Sequence, residues 1–168
     1  SLSNIPNKSM YLASDIAELF NRWGIKYEPS FAVIDSKYAW LMQLNENQFP
    51  KRNPALISLP AEAMNQRDKV TADLDRLVLS SAGALSLKDN STLQIEPLLQ
   101  SSESSQLVTV DKIRQYSEDP EQLLNNFVSS QEPFVLAARF TGSMVTSRNK
   151  LKDVNFIDIF TLPPFVEI

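Results

Sequence analysis

The segment at 133–142 constrains the fold of this chain more than any other part of its sequence. From residue 134 to residue 140 every side chain is apolar except that of Arg139. Successive side chains of a strand point to opposite faces, so both faces of this strand would be apolar over most of its length. We therefore predict an interior strand in a sheet that is covered on both sides. Pro133 is tolerated at its start, and Gly142 predicts a tight turn with a return strand directly after it.

The length and charge of the chain limit what it can be. With 168 residues, it is long enough for one domain, and folding at this length buries about 70% of the surface that the unfolded chain exposes. The net charge is −4, and positive side chains cluster only at 51–52 and 148–152. A nucleic-acid-binding domain usually has a basic face. We therefore predict solvated loop charge at both places and no nucleic-acid partner.

The chain contains neither cysteine nor histidine, which excludes disulfides, thiol nucleophiles, Cys or His metal sites and Ser–His catalytic pairs. We predict no catalytic residue, no cofactor-binding residue and no metal ligand. The enzyme hypothesis that remains is a hydrolase that uses acids such as Asp35, Asp73 or Asp75, or a serine with a lysine as base. These carboxylates are not visibly paired for acid–base work. An acid at a strand end, such as Asp35, more commonly caps a turn.

The small residues at 80–83, Ser-Ser-Ala-Gly, superficially suggest a cradle for a phosphate or an oxyanion. The segment lacks the lysine and the glycine spacing of a phosphate loop. Close backbone packing is the better explanation for small residues at this place.

Two helices are predicted from apolar stripes. The first has a stripe of four residues and ends at Gly24, which can adopt a left-handed conformation. The second starts at Asp119, with Pro120 in its first turn and Gln122 closing the capping box. The apolar residues of the first stripe are Ile16, Leu19, Phe20 and Trp23, and those of the second are Leu123, Leu124, Phe127 and Val128. Shorter apolar runs predict strands at 31–34, 39–44, 77–79, 84–87, 93–99 and 107–110.

Two polar loops are candidates for recognition, because long loops on a rigid sheet commonly have this role. One spans 45–54 and contains the aromatic Phe49; the other is the serine-rich loop at 100–106. We predict that they join into one patch that contacts a partner, with Phe49 as its anchor. The alternative is that Phe49 folds back into the core. The candidate contact residues are Phe49, Lys51, Arg52, Ser102 and Glu103.

Short motifs in a fixed order resemble a known family. They are Leu-Phe-Asn-Arg-Trp-Gly-Ile at 19–25 with Ala-Val-Ile-Asp at 32–35, the segments at 74–85 and 95–102, and Phe-Val-Leu-Ala-Ala-Arg-Phe-Thr-Gly at 134–142. The chain is similar in these motifs to the auxiliary component of uncharacterised ABC-type transport systems, a family that includes the auxiliary protein of bacterial gliding-motility transporters. It departs from the pattern at Ser80, where the family often has proline.

The resemblance implies an α/β fold, with a mixed sheet flanked by helices in a flavodoxin-like or amidotransferase-like fragment; α+β is the alternative. It implies that 1–168 is a single extracytoplasmic domain fragment of a longer, membrane-anchored bacterial protein, with an apolar C-terminal tail at 151–168. The membrane would be reached through segments absent here, and the domain would lie on the periplasmic face of the inner membrane.

The function that the resemblance implies is that of a non-catalytic auxiliary domain. It would act by contact with the permease and ATPase subunits of the transporter, hold no cofactor and leave ATP hydrolysis to a separate subunit. The main alternative is a carbohydrate- or peptide-binding module that uses Phe49, Trp40 or the serine-rich loop. A hydrolase is the less favoured alternative.

Overall fold

Strands predominate over helices in the computed structural model of the chain, which describes residues 17–43, 49–145 and 151–160. The helical segments are α1 at residues 17–22, the 3₁₀ helix η1 (Ala61–Ala63), α2 (Val110–Gln115) and the 3₁₀ helix η2 (Pro120–Leu124). The described strands are β1 (Ile25–Tyr27), β2 (Phe31–Asp35), β3 (Ala39–Met42), β4 (Lys51–Pro60), β5 (Arg76–Ser80), β6 (Leu85–Leu87), β7 (Gln94–Gln100), β8 (Ser105–Thr109), β9 (Val135–Val145) and β10 (Leu151–Phe160).

Strand β9 lies in the interior of a five-stranded sheet, as predicted from its sequence. It pairs with β7 along one edge and with β10 along the other, while β6 pairs with its first residue and β1 extends the sheet beyond β6. Leu136 and Phe140 are at most 1% exposed. Leu136 packs in one core with Ile57 and Leu59 of β4, and Phe140 packs in a second core with β1 and α1.

The predicted turn at Gly142 is wrong, because β9 continues through this residue to Val145. The return strand is β10, which pairs from Leu151 opposite Val145 to Phe160 opposite Ala137. Gly142 is required by close packing and by its backbone conformation, with φ of +132°. A Cβ at this position would lie 3.2 Å from the carbonyl oxygen of Thr92.

Two smaller sheets complete the described architecture: β2 pairs with β8, and β3, β4 and β5 form a three-stranded sheet with β4 in the middle. The chain therefore combines strands and helices, which agrees with the coarse prediction. Every described pairing is antiparallel, so the prediction of a mixed sheet is not met by these pairs. Parallel neighbours need crossovers of a dozen or more residues, usually helical, and the described helices are shorter. The pairings favour the α+β alternative.

The two helix predictions have different outcomes. Helix α1 ends before Gly24, whose φ is +74°, as predicted, and Phe20 and the following Trp23 pack against the second core. Leu19 of the predicted stripe is instead 37% exposed, and Ile16 lies outside the described residues. The second predicted helix is only the short η2. Asp119 does not cap its backbone, because its two carboxylate oxygens accept from the side chains of Lys51 and Gln122 instead, each at 2.9 Å.

Helix α2 is not predicted by the sequence pattern. Thr109 caps it, since its hydroxyl oxygen accepts a hydrogen bond from the backbone N–H of Lys112 at 3.3 Å. The capping box would place Glu or Gln at position 112, where this chain has lysine, so the sequence signal is weak.

The remaining differences concern the ends of elements. The loop predicted at 45–54 is shorter, because β4 already begins at Lys51, and residues 44–48 lie outside the described part. The first ten residues of the predicted tail at 151–168 form β10, and 161–168 lie outside it, as do residues 148–150 of the second basic cluster. Within the described ranges no helix is long and apolar enough to cross a membrane.

Candidate functional site

Strand β3 forms an edge of the three-stranded sheet and exposes apolar side chains. Among the described strands it pairs only with β4, with Trp40 opposite Asn53 and Leu41 opposite Arg52. Trp40 is 39% exposed and Leu41 is 61% exposed. Neighbouring strand residues point to opposite faces, so apolar surface is present on both faces of this edge.

Phe49 is a further exposed apolar residue, located just before β4. It lies two residues before Lys51, which is opposite Met42 at the end of β3, and its side chain is 90% exposed. The alternative that Phe49 folds back into the core is therefore not what the structure shows. We call the group formed by Trp40, Leu41, Phe49 and Arg52 the β3 surface.

A groove of about 340 Å³ opens beside the start of β3. It is lined by residues 37–41 together with Ser58, Pro60 and Arg76, and we call it the β3 groove. The groove spans the three-stranded sheet, with lining from β3, β4 and β5, and the register of β3 with β4 shifts next to it, between Ala39 and Trp40. Tyr38 remains attached to β4 at this point, since its carbonyl oxygen accepts from the N–H of Ser58 at 2.8 Å.

The charged groups in the β3 groove are both positive. Arg76 donates to the hydroxyl of Ser58 at 2.7 Å, and the Lys37 ammonium lies 5.2 Å from the centre of the Tyr38 ring. In the part of the chain that the structure describes, neither cation forms an ion pair, and Arg52 forms none either. Lys51 differs, because it pairs with Asp119 at 2.9 Å. The charged lining of the β3 groove is thus positive, which suits a ligand group with negative charge.

Asp35 is a structural residue that ties two distant loops together. It is fully buried, and one carboxylate oxygen accepts from the backbone N–H groups of Lys37 and Tyr38, each at 2.9 Å. The same carboxylate accepts from the hydroxyl of Ser102 at 2.8 Å and from its N–H at 2.6 Å. These bonds satisfy the buried charge. The turn-capping interpretation is confirmed, and the bonds to Ser102 add a second role that the sequence did not suggest.

Ser102 does not fit the partner-contact role predicted for it, because its side chain is only 5% exposed. The serine-rich loop faces inward here: the hydroxyl oxygens of Ser101 and Ser105 lie 2.8 Å apart, and both residues are buried. Glu103 is exposed, while its backbone carbonyl accepts from the Ser129 hydroxyl. The loop that contains Phe49 joins β4 at its first residue, Lys51. The serine-rich loop is linked to the other half of β4: Ser102 bonds to Asp35, Asp35 bonds to Tyr38, and Tyr38 bonds to Ser58. The two loops thus approach opposite ends of β4, which does not support a single joined patch.

The small residues at 80–83 serve backbone packing, as the sequence analysis proposed. Ala82 is buried, and its carbonyl oxygen accepts from the N–H of Val33 at 2.7 Å. A Cβ at Gly83 would lie 2.6 Å from a ring carbon of Tyr27. The space next to this segment is therefore occupied by other residues of the protein.

The acidic residues Asp73, Asp75 and Asp68 are not among the residues that line the β3 groove. Asp73 and Asp75 are exposed, and no group of three or more acidic side chains that could hold a metal ion is found within the described ranges. Asp68 is buried and forms an ion pair with Arg139 of β9. The backbone N–H of Val70 and the Arg139 guanidinium hold the pKa of Asp68 below its usual range, although burial opposes the shift.

Comparisons with known proteins give the family. A search of curated proteins finds no match, and a search of solved structures finds none either. The model of the family described as "ABC-type uncharacterized transport system" matches residues 1–155, which include α1, the three-stranded sheet and all of β9. The order of motifs around β9 and the extent of this match lead to one conclusion: the chain belongs to the family of auxiliary components of ABC-type transport systems.

Proposed function

We propose that the chain is a non-catalytic contact domain of an ABC-type transport system and that it binds transporter subunits through the β3 surface. Membership of the family supports a role in transport. The observation that supports contact through this surface is the 90% exposure of Phe49, which precedes β4 by two residues, together with the exposure of Trp40 and Leu41 on β3. An aromatic side chain in solvent does little for the stability of the domain, whereas burial at an interface makes such residues dominant contributors to binding.

The contact model is tested by purifying the transporter from membranes with a tagged, full-length form of this protein. We expect Phe49→Ala to reduce the recovered permease and ATPase subunits by roughly tenfold or more, because truncation of an interface anchor commonly costs about 2 kcal/mol. Val128→Ala is the matched control, since Val128 is also apolar and is 69% exposed but lies outside the β3 surface. Equal recovery of both subunits with the wild-type and Phe49→Ala proteins would show that the surface is misplaced.

The absence of catalysis is part of this proposal. The charged groups that line the β3 groove are positive, so a pair of carboxylates for acid–base work is not available among them. We expect the purified protein to hold no stoichiometric zinc after dialysis and to hydrolyse no ATP. Turnover above a buffer blank, lost on substitution of a residue in this chain, would refute the proposal.

The proposal also places the domain outside the cytoplasm, on the periplasmic face of a bacterial inner membrane and attached through other segments of a longer protein. The support for this location is the family resemblance in the motifs around β2, β5 and β9. In such a position the β3 surface would face the outer domains or loops of a permease, and the ATPase would be reached through the permease.

A further inference from the structure

We infer that the β3 groove is a binding site for a small organic acid that carries its carboxylate on an apolar ring. The positive charges and the aromatic side chains that line this groove are the basis of the inference. It goes beyond the contact function and does not rest on it, because Phe49, the anchor of the contact model, is not among the lining residues.

The groove opens on the face of the three-stranded sheet that points away from the core. Arg76 of β5 lies opposite Pro60 of β4, and Ser58 is two residues before Pro60, so the three side chains share one face. Leu59, between Ser58 and Pro60, is fully buried and belongs to the core on the other face. The volume of about 340 Å³ is in the range of clefts that bind small molecules.

Arg76 presents an oriented guanidinium group to this groove. One of its terminal nitrogens donates to the hydroxyl of Ser58 at 2.7 Å, and Ser58 is only 7% exposed, so the bond holds the guanidinium against the sheet. A guanidinium group has five N–H donors, and within the described ranges Arg76 forms no ion pair. Its remaining donors can bind both oxygens of a carboxylate, the geometry that arginine favours.

Lys37 supplies a second positive charge to the same groove. Its ammonium group lies 5.2 Å from the centre of the Tyr38 ring, and in the part of the chain that the structure describes it forms no ion pair. The carboxylate of Asp35, two residues away, is fully buried and accepts hydrogen bonds from backbone N–H groups and from Ser102. The lining contains two cations and no acid, which favours an anionic ligand.

The apolar part of the lining selects the body of the ligand. Tyr38, Trp40 and Pro60 contribute to the groove, and Trp40 is 39% exposed. A ring covers the flat surface of aromatic side chains well, and it loses little conformational entropy on binding because it is rigid. A free phosphate ion would leave this apolar surface in water, so an acid with a ring uses more of the site.

The test uses the fluorescence of Trp40. The chain contains two tryptophans, and Trp23→Phe, in the second core, leaves Trp40 as the only indole. Cyclohexanecarboxylate, which does not absorb in the tryptophan range, is titrated into the 168-residue chain with this change. We expect a saturable fluorescence change with a Kd below about 10 mM, as befits a ligand of this size, and weaker binding as salt rises. Cyclohexanecarboxamide, which has the same shape and no charge, should bind at least roughly tenfold more weakly.

Two variants test the cations separately. Arg76→Gln should weaken binding of cyclohexanecarboxylate by roughly tenfold or more, because glutamine can keep a hydrogen bond to Ser58 but lacks the positive charge. Lys37→Gln should also weaken it. Arg67→Gln, at an exposed position outside the groove lining, is the matched control and should leave the Kd unchanged. Melting temperatures establish that each variant is folded before its Kd is compared.

Several outcomes would overturn the inference. They are equal binding of the carboxamide, an unchanged Kd in both Arg76→Gln and Lys37→Gln, and no saturable binding of cyclohexanecarboxylate below about 10 mM. Inorganic phosphate that binds as tightly as cyclohexanecarboxylate would show that the ring contributes nothing. Tighter binding of N-acetylglutamate amide would assign the groove to an acidic side chain of a partner protein. Recovery of transporter subunits with Phe49→Ala is independent of all these results, so either proposal can fail without the other.

Discussion

Asp35 and Ser102, which are 67 positions apart in the sequence, form two hydrogen bonds inside the protein. The Ser102 hydroxyl also accepts from the N–H of Ser104 at 3.1 Å, so one small side chain connects a buried carboxylate with the backbone of its own loop. Since the same carboxylate holds the turn that leads into β3, the buried Ser102 supports the edge strand of the candidate site.

Ser102→Ala should therefore destabilise the protein. The change removes one donor from a buried charge and leaves the N–H of Ser104 without its acceptor, which costs about 1–3 kcal/mol. Urea unfolding measures the difference. Ser86→Ala, at an exposed position on β6, is the control and should stay within about 0.5 kcal/mol of wild type. Equal effects of the two changes would show that the buried bonds contribute nothing.

The lowered pKa of Asp68, held down by the backbone N–H of Val70 and by Arg139, should make the stability of the protein depend on pH in the acid range. The pKa of Asp68 is lowered in the folded protein, whereas an unfolded aspartate titrates near about 3.9. The contribution is thus fully present above the unfolded pKa and is lost as the pH falls through the folded pKa. Asp68→Asn should be less stable than wild type at pH 7, and the gap should narrow towards pH 3 in urea titrations. A gap that stays constant with pH would contradict this prediction.

Gly142→Ala should destabilise the central sheet. The backbone at this position has φ of +132°, which L residues rarely adopt, and the new Cβ would crowd the Thr92 carbonyl oxygen and Leu93. Strain of this kind costs about 1–3 kcal/mol. Thermal unfolding of the variant is the measurement, and an unchanged melting temperature would mean that β9 relaxes without cost.

Phe49→Ala should leave stability nearly unchanged, within about 0.5 kcal/mol, because the side chain is 90% exposed. Phe140→Ala is the contrasting variant: Phe140 is fully buried, so its truncation should cost about 3–5 kcal/mol. The melting temperatures of the two variants measure this difference in stability. A drop of several degrees for Phe49→Ala would assign that residue to the core and remove it from the β3 surface.

The proposed location can be tested because the chain contains no cysteine. Val128→Cys introduces a single thiol, at an exposed position, into these 168 residues, and the full-length protein without this change gives the background labelling of any cysteine elsewhere. Labelling by a membrane-impermeant maleimide in cells with an opened outer membrane is expected if the domain is periplasmic. Labelling only after lysis of the inner membrane would place the domain in the cytoplasm. Leu136→Cys, at a buried position, is the control that should not react in the folded protein.

Local patterns were sufficient where one short segment determined its own environment. The apolar run at 134–140 specified an interior strand, because burying both of its faces is the only way to remove that much apolar surface from water. Gly24 ended α1, and the small residues at 80–83 indicated close backbone approach. Each of these predictions depends on steric or hydrophobic properties of neighbouring residues, which the sequence displays directly.

Long-range contacts decided the features that the sequence could not determine. From the sequence, Ser102 belongs to a polar loop. It is buried because β2 lies next to this loop and places Asp35 within hydrogen-bond distance. The sequence around Gly142 fits a turn as well as a strand. In the structure Gly142 packs against the backbone of Thr92, and β9 continues through it. The grouping of Lys37 with Arg76 in one groove follows from the arrangement of β3, β4 and β5. Pairing between distant strands sets these positions, and such pairing is a property of tertiary structure, which no local pattern encodes.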